Sequence, residues 1–296
     1  KTQTLNYVLS RLRTFSKTIA LTSIGVDGET LDIVTNTSKP EIEIYPNTTF
    51  ITSQALYPQR EIVSAIEEVS NQTTALGRLI QARAITQGKI LLAGPSDTIS
   101  LKKLIEKLEK NIDLILIDGA LSRKTFGSPS ITQAMILSTG ASLSASLNVV
   151  VKKTKFIYQM TQLPQYEGKF AEQLQQIENG IYAITDEGIK DLQIPSLMMI
   201  DKYKDKIFAC GKKLFVAGAL NDKFIQFLKI QKNPQEIEII IKDFTKIFSN
   251  EDNTLQYLSK GGKIKVLDKA NLIAITANPI SPTGYHFNNE EMLDAL

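Results

Sequence analysis

The sequence predicts an α/β protein: a P-loop NTPase-like parallel sheet, followed by a second, smaller α/β domain. Three observations predict it. Apolar stretches of strand length, "IALTSI" and "LILID", alternate with amphipathic helical stretches such as "SLKKLIEKLEK". The chain opens on Lys1-Thr2 and passes straight into a helical pattern. That is how the phosphate-binding motif G-x-x-x-x-G-K-[ST] ends. A carboxylate, Asp118, stands at the carboxyl end of an all-apolar strand, where open α/β sheets bind ligands.

Leu5, Val8, Leu9, Leu12 and Phe15 recur at helical spacing, so an amphipathic helix is expected from about Thr2. Ile19 to Ile24 reads as a short buried strand, and Gly25 to Glu29 as its exit loop. "EIEIYPNTTFITS" alternates and breaks at Pro46-Asn47, which predicts a β-hairpin. A helical stretch is expected near Glu61 to Val69. "GKILLAGPSD" reads as a second buried strand ending in a Gly-Pro turn. "SLKKLIEKLEK" carries Leu101, Leu104, Ile105 and Leu108 on one helical face and lysines and glutamates on the other. "NIDLILIDGAL" is a third apolar strand, running into Asp118-Gly119. Strand, helix and strand with short connections are the signature of a parallel sheet with crossover helices.

Ser130 to Leu147 is rich in Ala, Ser, Thr and Gly, and two readings stand: a closely packed helix or a loop. "LNVVVKKTKFIYQMTQL" reads as a helix closed by Pro164. A boundary placed near Gln165 to Gly168 gives domains 1–165 and 166–296. Beyond it, "GIYAITD", "KKLFVAGAL", "EIEIIIKDF", "GKIKVLD" and "NLIAITANP" read as strands, and "NDKFIQFLKIQ" as a helix. "LILIDGAL" and "LFVAGAL" echo each other, either through duplication or because a strand followed by a Gly-Ala turn is common in α/β folds. "NPISPTGYHFNNEEMLDAL" reads as a Pro/Gly loop feeding a short terminal helix.

The chain's 296 residues, 43 % of them apolar, suffice for two ordinary domains with real cores. With 34 basic and 31 acidic residues the net charge is +3. That balance gives no electrostatic ground to expect nucleic acid or an acidic membrane. Cys210, the single cysteine, excludes an intramolecular disulfide and fits a cytoplasmic protein. No apolar run approaches the roughly 18 residues of a membrane-spanning helix, and the first residues lack the apolar core of a signal peptide. One cysteine and one histidine, His286, cannot make a zinc site within one chain. An ordinary Ser-His-Asp triad would depend on His286.

In a P-loop, backbone N–H groups cradle the phosphates, the lysine reaches the outer phosphates and the hydroxyl binds Mg²⁺. Lys1 and Thr2 are the candidates for the last two roles, against the plain alternative of an ordinary Lys-Thr dipeptide. Asp118 has the position of an aspartate that holds Mg²⁺ through water; a turn aspartate before glycine explains it equally. Asp27 and Glu29 flank Gly28 just past the first strand. If the strands are parallel, this loop shares an edge with Asp118 and the start of the first helix. Asp27 is then a candidate metal ligand, and Glu29 a candidate to act on a water near a terminal phosphate; a D-G turn is the alternative. The candidates are therefore Asp118 and Glu29 for catalysis, Lys1 and Thr2 for ATP, and Thr2, Asp118 and Asp27 for Mg²⁺. His286 reads as a loop histidine packed by Tyr285 and Phe287, and Cys210 as a small buried apolar residue.

Taken jointly, "KTQTLNY", "LTSIGVDGE", "VTNTSKP", "GRLIQARA", "LAGPS" and "IDGALSRKTFGSPSITQAMILSTGASLS" resemble one family. It is the P-loop-containing subunit of the reactivating system of adenosylcobalamin-dependent lysine 5,6-aminomutase. The likeness runs over about residues 1 to 165 and is looser beyond, through "VAGAL" and "TANPISPTGY". The resemblance implies that Lys1-Thr2 closes a glycine-rich loop of the "GKT" kind placed upstream. In it, Lys1 matches the P-loop lysine, Thr2 the Mg²⁺-binding hydroxyl and Asp118 the strand-end aspartate. It also implies a domain akin to dethiobiotin-synthetase-like ATPases, with ATP and Mg²⁺ as cofactors. The implied partners are the B12-dependent aminomutase and a partner reactivase ATPase. The function this implies is an ATP-dependent component that opens the aminomutase and releases damaged cobalamin. A non-enzymatic adaptor that retains the fold, and a dethiobiotin-synthetase-like ligase, stay open beside it.

Overall fold

In a computed structural model of the chain, residues 1–25, 41–119, 128–194 and 196–296 are described. They fall into two compact units. The first comprises the described residues up to 119 together with 137–147 and 275–295. The second comprises 128–136, 148–274 and Leu296.

The first unit opens with helix α1 (Thr2–Leu12), as expected from the apolar spacing. Then follow β1 (Ile19–Ser23), β2 (Ile42–Ile44), β3 (Thr49–Ser53), β4 (Ser64–Thr74), β5 (Gly77–Ala84), β6 (Gly88–Ile90), α2 (Thr98–Leu108) and β7 (Leu114–Asp118). Five of these strands form a sheet in the order β4-β5-β3-β1-β7. β3, β1 and β7 are parallel, while β5 runs antiparallel to both β3 and β4. The chain is thus α/β with a parallel core, to which an antiparallel hairpin is added on one side.

Alternate strand residues face opposite sides of the sheet, and here the two sides carry different helices. Leu21, Phe50, Ile80 and Leu116 pack with Leu5, Leu9 and Leu12 of α1. Their chain neighbours Ala20, Ile51, Leu79 and Ile115 pack with Leu104 and Leu108 of α2. Both faces are therefore covered, which is why β1 and β3 are buried at every position. Phe15, counted in the apolar stripe of α1, lies past the helix end and is 63 % exposed.

Three expectations within residues 41–97 need correction. Glu61 to Val69 is not helical; it leads into strand β4. Ile66 opposes Ala82 and Val69 opposes Ile80, so three residues on β4 span two on β5, with a bulge between Ile66 and Glu68. The extra residue turns a strand's period of two into a helix-like spacing of three. Next, the turn at Pro46-Asn47 exists, with Asn47 at φ 68°, but it does not close a hairpin. β2 pairs with β6, whereas β3 enters the main sheet. β3 is buried at all five positions and needs strands on both sides, while β2 buries only alternate residues. Finally, only the first part of "GKILLAGPSD" is a strand, and it is paired outside the main sheet.

The rest of that stretch completes the sheet edge. The β1–β3 pairing stops after Leu21 and Phe50, and residues 91–95 take it up from both sides. Ala93 N–H donates to Ile51 O at 3.2 Å and Thr52 Oγ1 donates to Leu91 O at 2.7 Å. Gly94 N–H donates to Gly25 O at 3.1 Å, and Gly25 N–H donates to Pro95 O at 2.8 Å. A Cβ on Gly94 would stand 1.7 Å from Ser23 O, so only glycine permits this approach.

Ser130 to Leu147 holds a strand, β8 (Met135–Gly140), in place of the expected helix or loop. Helix α3 (Leu147–Thr161) follows as expected. The second unit continues with α4 (Ala171–Gln175), β9 (Ile181–Ile184), β10 (Ile189–Asp191), α5 (Lys204–Ile207), β11 (Lys213–Val216), α6 (Asp222–Lys229), β12 (Glu238–Ile241), α7 (Glu251–Ser259) and β13 (Lys263–Val266). Its sheet has the order β10-β9-β11-β12-β13. β11, β12 and β13 are parallel and joined through α6 and α7, whose starts are capped by the Asn221 and Asn250 side chains. All the strands and the helix expected in this half are present. β14 (Leu272–Asn278) pairs with β8. α8 (Asn289–Ala295) closes the chain. Among the described residues no helix is long and apolar enough to cross a membrane.

Gly94→Ala tests the edge. The added methyl must push backbone apart, which costs about 1–3 kcal/mol or more. At roughly 2–4 °C per kcal/mol for a chain of this class, a clear fall in Tm by several degrees is expected in thermal unfolding. An unchanged Tm would show that the 91–95 segment yields freely.

Candidate functional site

β1 and β7 pair in parallel over five residues, from Ile19 opposite Leu114 to Ser23 opposite Asp118. Parallel register brings both strand ends to one carboxyl edge. Asp118 lies two residues beyond Leu116, so it faces the side of the sheet that α1 covers. α1 delivers Lys1 to that place: Lys1 Nζ stands 3.4 Å from Asp118 Oδ1. The aspartate side chain is 9 % exposed and the lysine 40 %.

The main chain of Asp118 is used separately from its carboxylate. Its carbonyl accepts from Ser23 Oγ at 3.2 Å and from Ile24 N–H at 3.3 Å. The lysine of its ion pair is half-exposed, so solvent screens that pair.

Two helices begin near this edge, and they differ. α2 is capped by Asp97, whose carboxylate accepts from Ser100 N–H at 2.8 Å. That bond holds the Asp97 carboxyl below the usual carboxylate range. α1 has Lys1 at the cap position with no side-chain cap bond and no acidic residue in its first turn. Among the described residues no side chain of its own first turn caps its first N–H groups at the positive end of its dipole. Such a helix start favours an anion.

The structure thus brings Lys1 and Asp118 together and places Thr2, half-buried, at the first helical position. Asp27 and Glu29 lie outside the described residues; Gly25, bonded to Gly94 and Pro95, is the last described position before them. Among the described residues no group of three or more His, Cys, Asp or Glu side chains is arranged to hold a metal. One aspartate and one hydroxyl suit Mg²⁺, which keeps several waters and takes its other ligands from phosphate. Those two groups are of the right chemistry for an ion brought in with its nucleotide.

Ser23 was missed in the sequence reading, although two five-residue apolar strands paired end to end would have set it opposite Asp118. His286 is exposed and bridges to Ile280, flanked by Tyr285 and Phe287, whose rings meet edge-on at 5.8 Å. Cys210 is half-buried against the core of the second unit. On the α2 side of the sheet lies a cavity of about 160 Å³ walled by Ile51, Leu79, Leu104, Lys103 and Lys107. It joins a groove lined by Thr73, Pro95, Ser96, Asp97 and Ser100.

Compared with protein families, with curated proteins and with solved structures, the chain matches none.

Asp118→Asn separates a site aspartate from a turn aspartate. Asparagine keeps the main-chain carbonyl that Ser23 and Ile24 use and removes the charge that faces Lys1. Tm at neutral pH is expected to move by no more than about 3 °C. A fall of many degrees would make the carboxylate a structural group.

Proposed function

We propose that the first unit binds Mg-ATP at the edge where Lys1 meets Asp118. We propose further that the protein is the ATP-dependent component of a reactivation complex for a B12-dependent aminomutase. The observation that carries the nucleotide reading is the 3.4 Å approach of Lys1 to Asp118 at the open start of α1. A P-loop lysine and a strand-end aspartate must both reach one Mg-phosphate group, and this arrangement lets them. The reactivation role rests on the resemblance of residues 1 to 165 to that family.

In this reading the first N–H groups of α1 take phosphate oxygens, together with those of the glycine-rich loop expected upstream of Lys1. Lys1 turns from Asp118 to the outer phosphates. Thr2 offers its hydroxyl, and Asp118 holds the ion through water. Mg²⁺, when bound, offsets charge that develops during transfer of the terminal phosphoryl group to water. Asp27 and Glu29, which follow β1 in the chain, are proposed to act on the same group.

An ATP-dependent ligase is the second reading. The groove near Pro95 and Asp97 favours it, since Pro95 accepts directly from Gly25 past the end of β1. A ligase turns over ATP only when an acceptor fills such a groove. In the adaptor reading no turnover occurs at all.

Calorimetry on two forms tests the proposal: the 296-residue chain, and a form extended upstream through the glycine-rich segment. The extended form is expected to bind Mg-ATP with a Kd of about 1–100 μM, and the shorter form much more weakly. Equal tight binding by both would show that the loop is not needed. In the extended form, Asp118→Asn is expected to lower ATP hydrolysis by roughly 10²-fold. Hydrolysis at the wild-type rate would remove Asp118 from the chemistry.

A further inference from the structure

Three hydroxyl groups close a ring beside the first turn of α1. Ser138 Oγ of β8 donates to Thr4 Oγ1 at 3.1 Å. Thr276 Oγ1 of β14 donates to Ser138 Oγ at 3.0 Å. Thr4 and Thr276 are 2.9 Å apart, which leaves Thr4 to donate and complete the circuit. Each hydroxyl then gives one hydrogen bond and receives one, and bonds in such a chain polarise and strengthen one another. All three side chains are half-buried and belong to the first unit.

The ring matters because, among the described residues, that end of the helix has few other anchors. Leu9, in the third turn, is the only fully buried residue of α1. Asn6 ties the second turn to β2, donating to Glu41 O at 3.0 Å and accepting from Glu43 N–H at 3.1 Å. The first turn has the partly buried Leu5, the solvent-touched Lys1–Asp118 pair and the ring. Thr4 lies two residues from Thr2, so a tilt of the first turn would move Lys1, Thr2 and the free N–H groups together.

We propose that Thr4, Ser138 and Thr276 are positioning residues that hold the Lys1 end of α1 over Asp118 by a closed hydroxyl ring. The proposal rests on the nucleotide reading for its consequence but not for its structural content. Strands far away in the sequence thereby set where the phosphate-facing end of α1 lies.

The test uses Thr4→Val, which keeps the shape and removes the hydroxyl, and Thr4→Ser, which restores it. Both are made in the full protein. Two measurements are taken. In hydrogen exchange without ligand, the amide of Leu5, bonded to Lys1 O at 3.0 Å, is expected to exchange about tenfold faster in Thr4→Val, while β1 and β7 keep their protection. Exchange at the wild-type rate would overturn the ring as an anchor. In Mg-ATP titration, Thr4→Val is expected to weaken binding about tenfold and Thr4→Ser to recover it. Wild-type affinity in Thr4→Val, with faster exchange, would make the ring a structural feature without a positioning role, and that too overturns the proposal. If the wild-type protein binds no Mg-ATP, the nucleotide reading falls, the assignment of these residues to it falls with it, and the exchange data alone decide whether the ring anchors the helix.

Discussion

Five residues of parallel pairing between β1 and β7 position everything at the candidate site. Because Ser23 ends opposite Asp118, one sheet edge receives a buried carboxylate, the exit of β1 and the start of α1 together. A slip by one residue would turn Asp118 to the α2 side and send Leu116 out of the core it shares with α1. The apolar character of both strands on both faces makes that slip costly. Packing thus fixes where the carboxylate points.

The edge is finished by backbone more than by side chains. Residues 91–95 bond to β3 on one flank and to Gly25 on the other, and Gly94 touches the end of β1 too closely for any Cβ. α2 leaves this edge with its N-terminus already satisfied by Asp97, whereas α1 leaves it with none of its own side chains as acceptor. In the proposed reading this asymmetry favours an anion at α1, and Lys1 beside Asp118 leaves those two charges paired in the ligand-free chain.

Much of this was legible in the sequence wherever the signal was local. The strands at Ile19 and Leu114, the helix beginning at Thr98 and the strands of the second unit announced themselves by apolar runs of the right length. The order helix, strand, Asp118 already pointed to one edge. β4 was misread because its bulge spaces Ile66 and Val69 as a helix would. The hairpin expected at Pro46-Asn47 failed because a turn does not say which strands it joins, and burial of β3 on both sides decided otherwise. β8 was not legible at all: its partner, β14, begins 137 residues after it, and Ser, Thr and Gly give no period. The ring at Thr4 depends on that pairing, and nothing in the neighbours of its residues foretells it. Asp27 and Glu29 lie outside the described residues.

The central claim is that a metal–nucleotide complex sits where α1 begins beside Asp118. Mn²⁺ in place of Mg²⁺ tests it directly, since its unpaired electrons broaden nearby backbone resonances steeply with distance. With ATP and Mn²⁺ added to the protein extended upstream, the account predicts the strongest broadening at Thr2, Ser23, Ile24 and Gly119. It predicts broadening that falls off along β1 and β7 toward Ile19 and Leu114, at the far ends of the same strands. Sharp lines at all four positions, or broadening centred on the second unit, would contradict it.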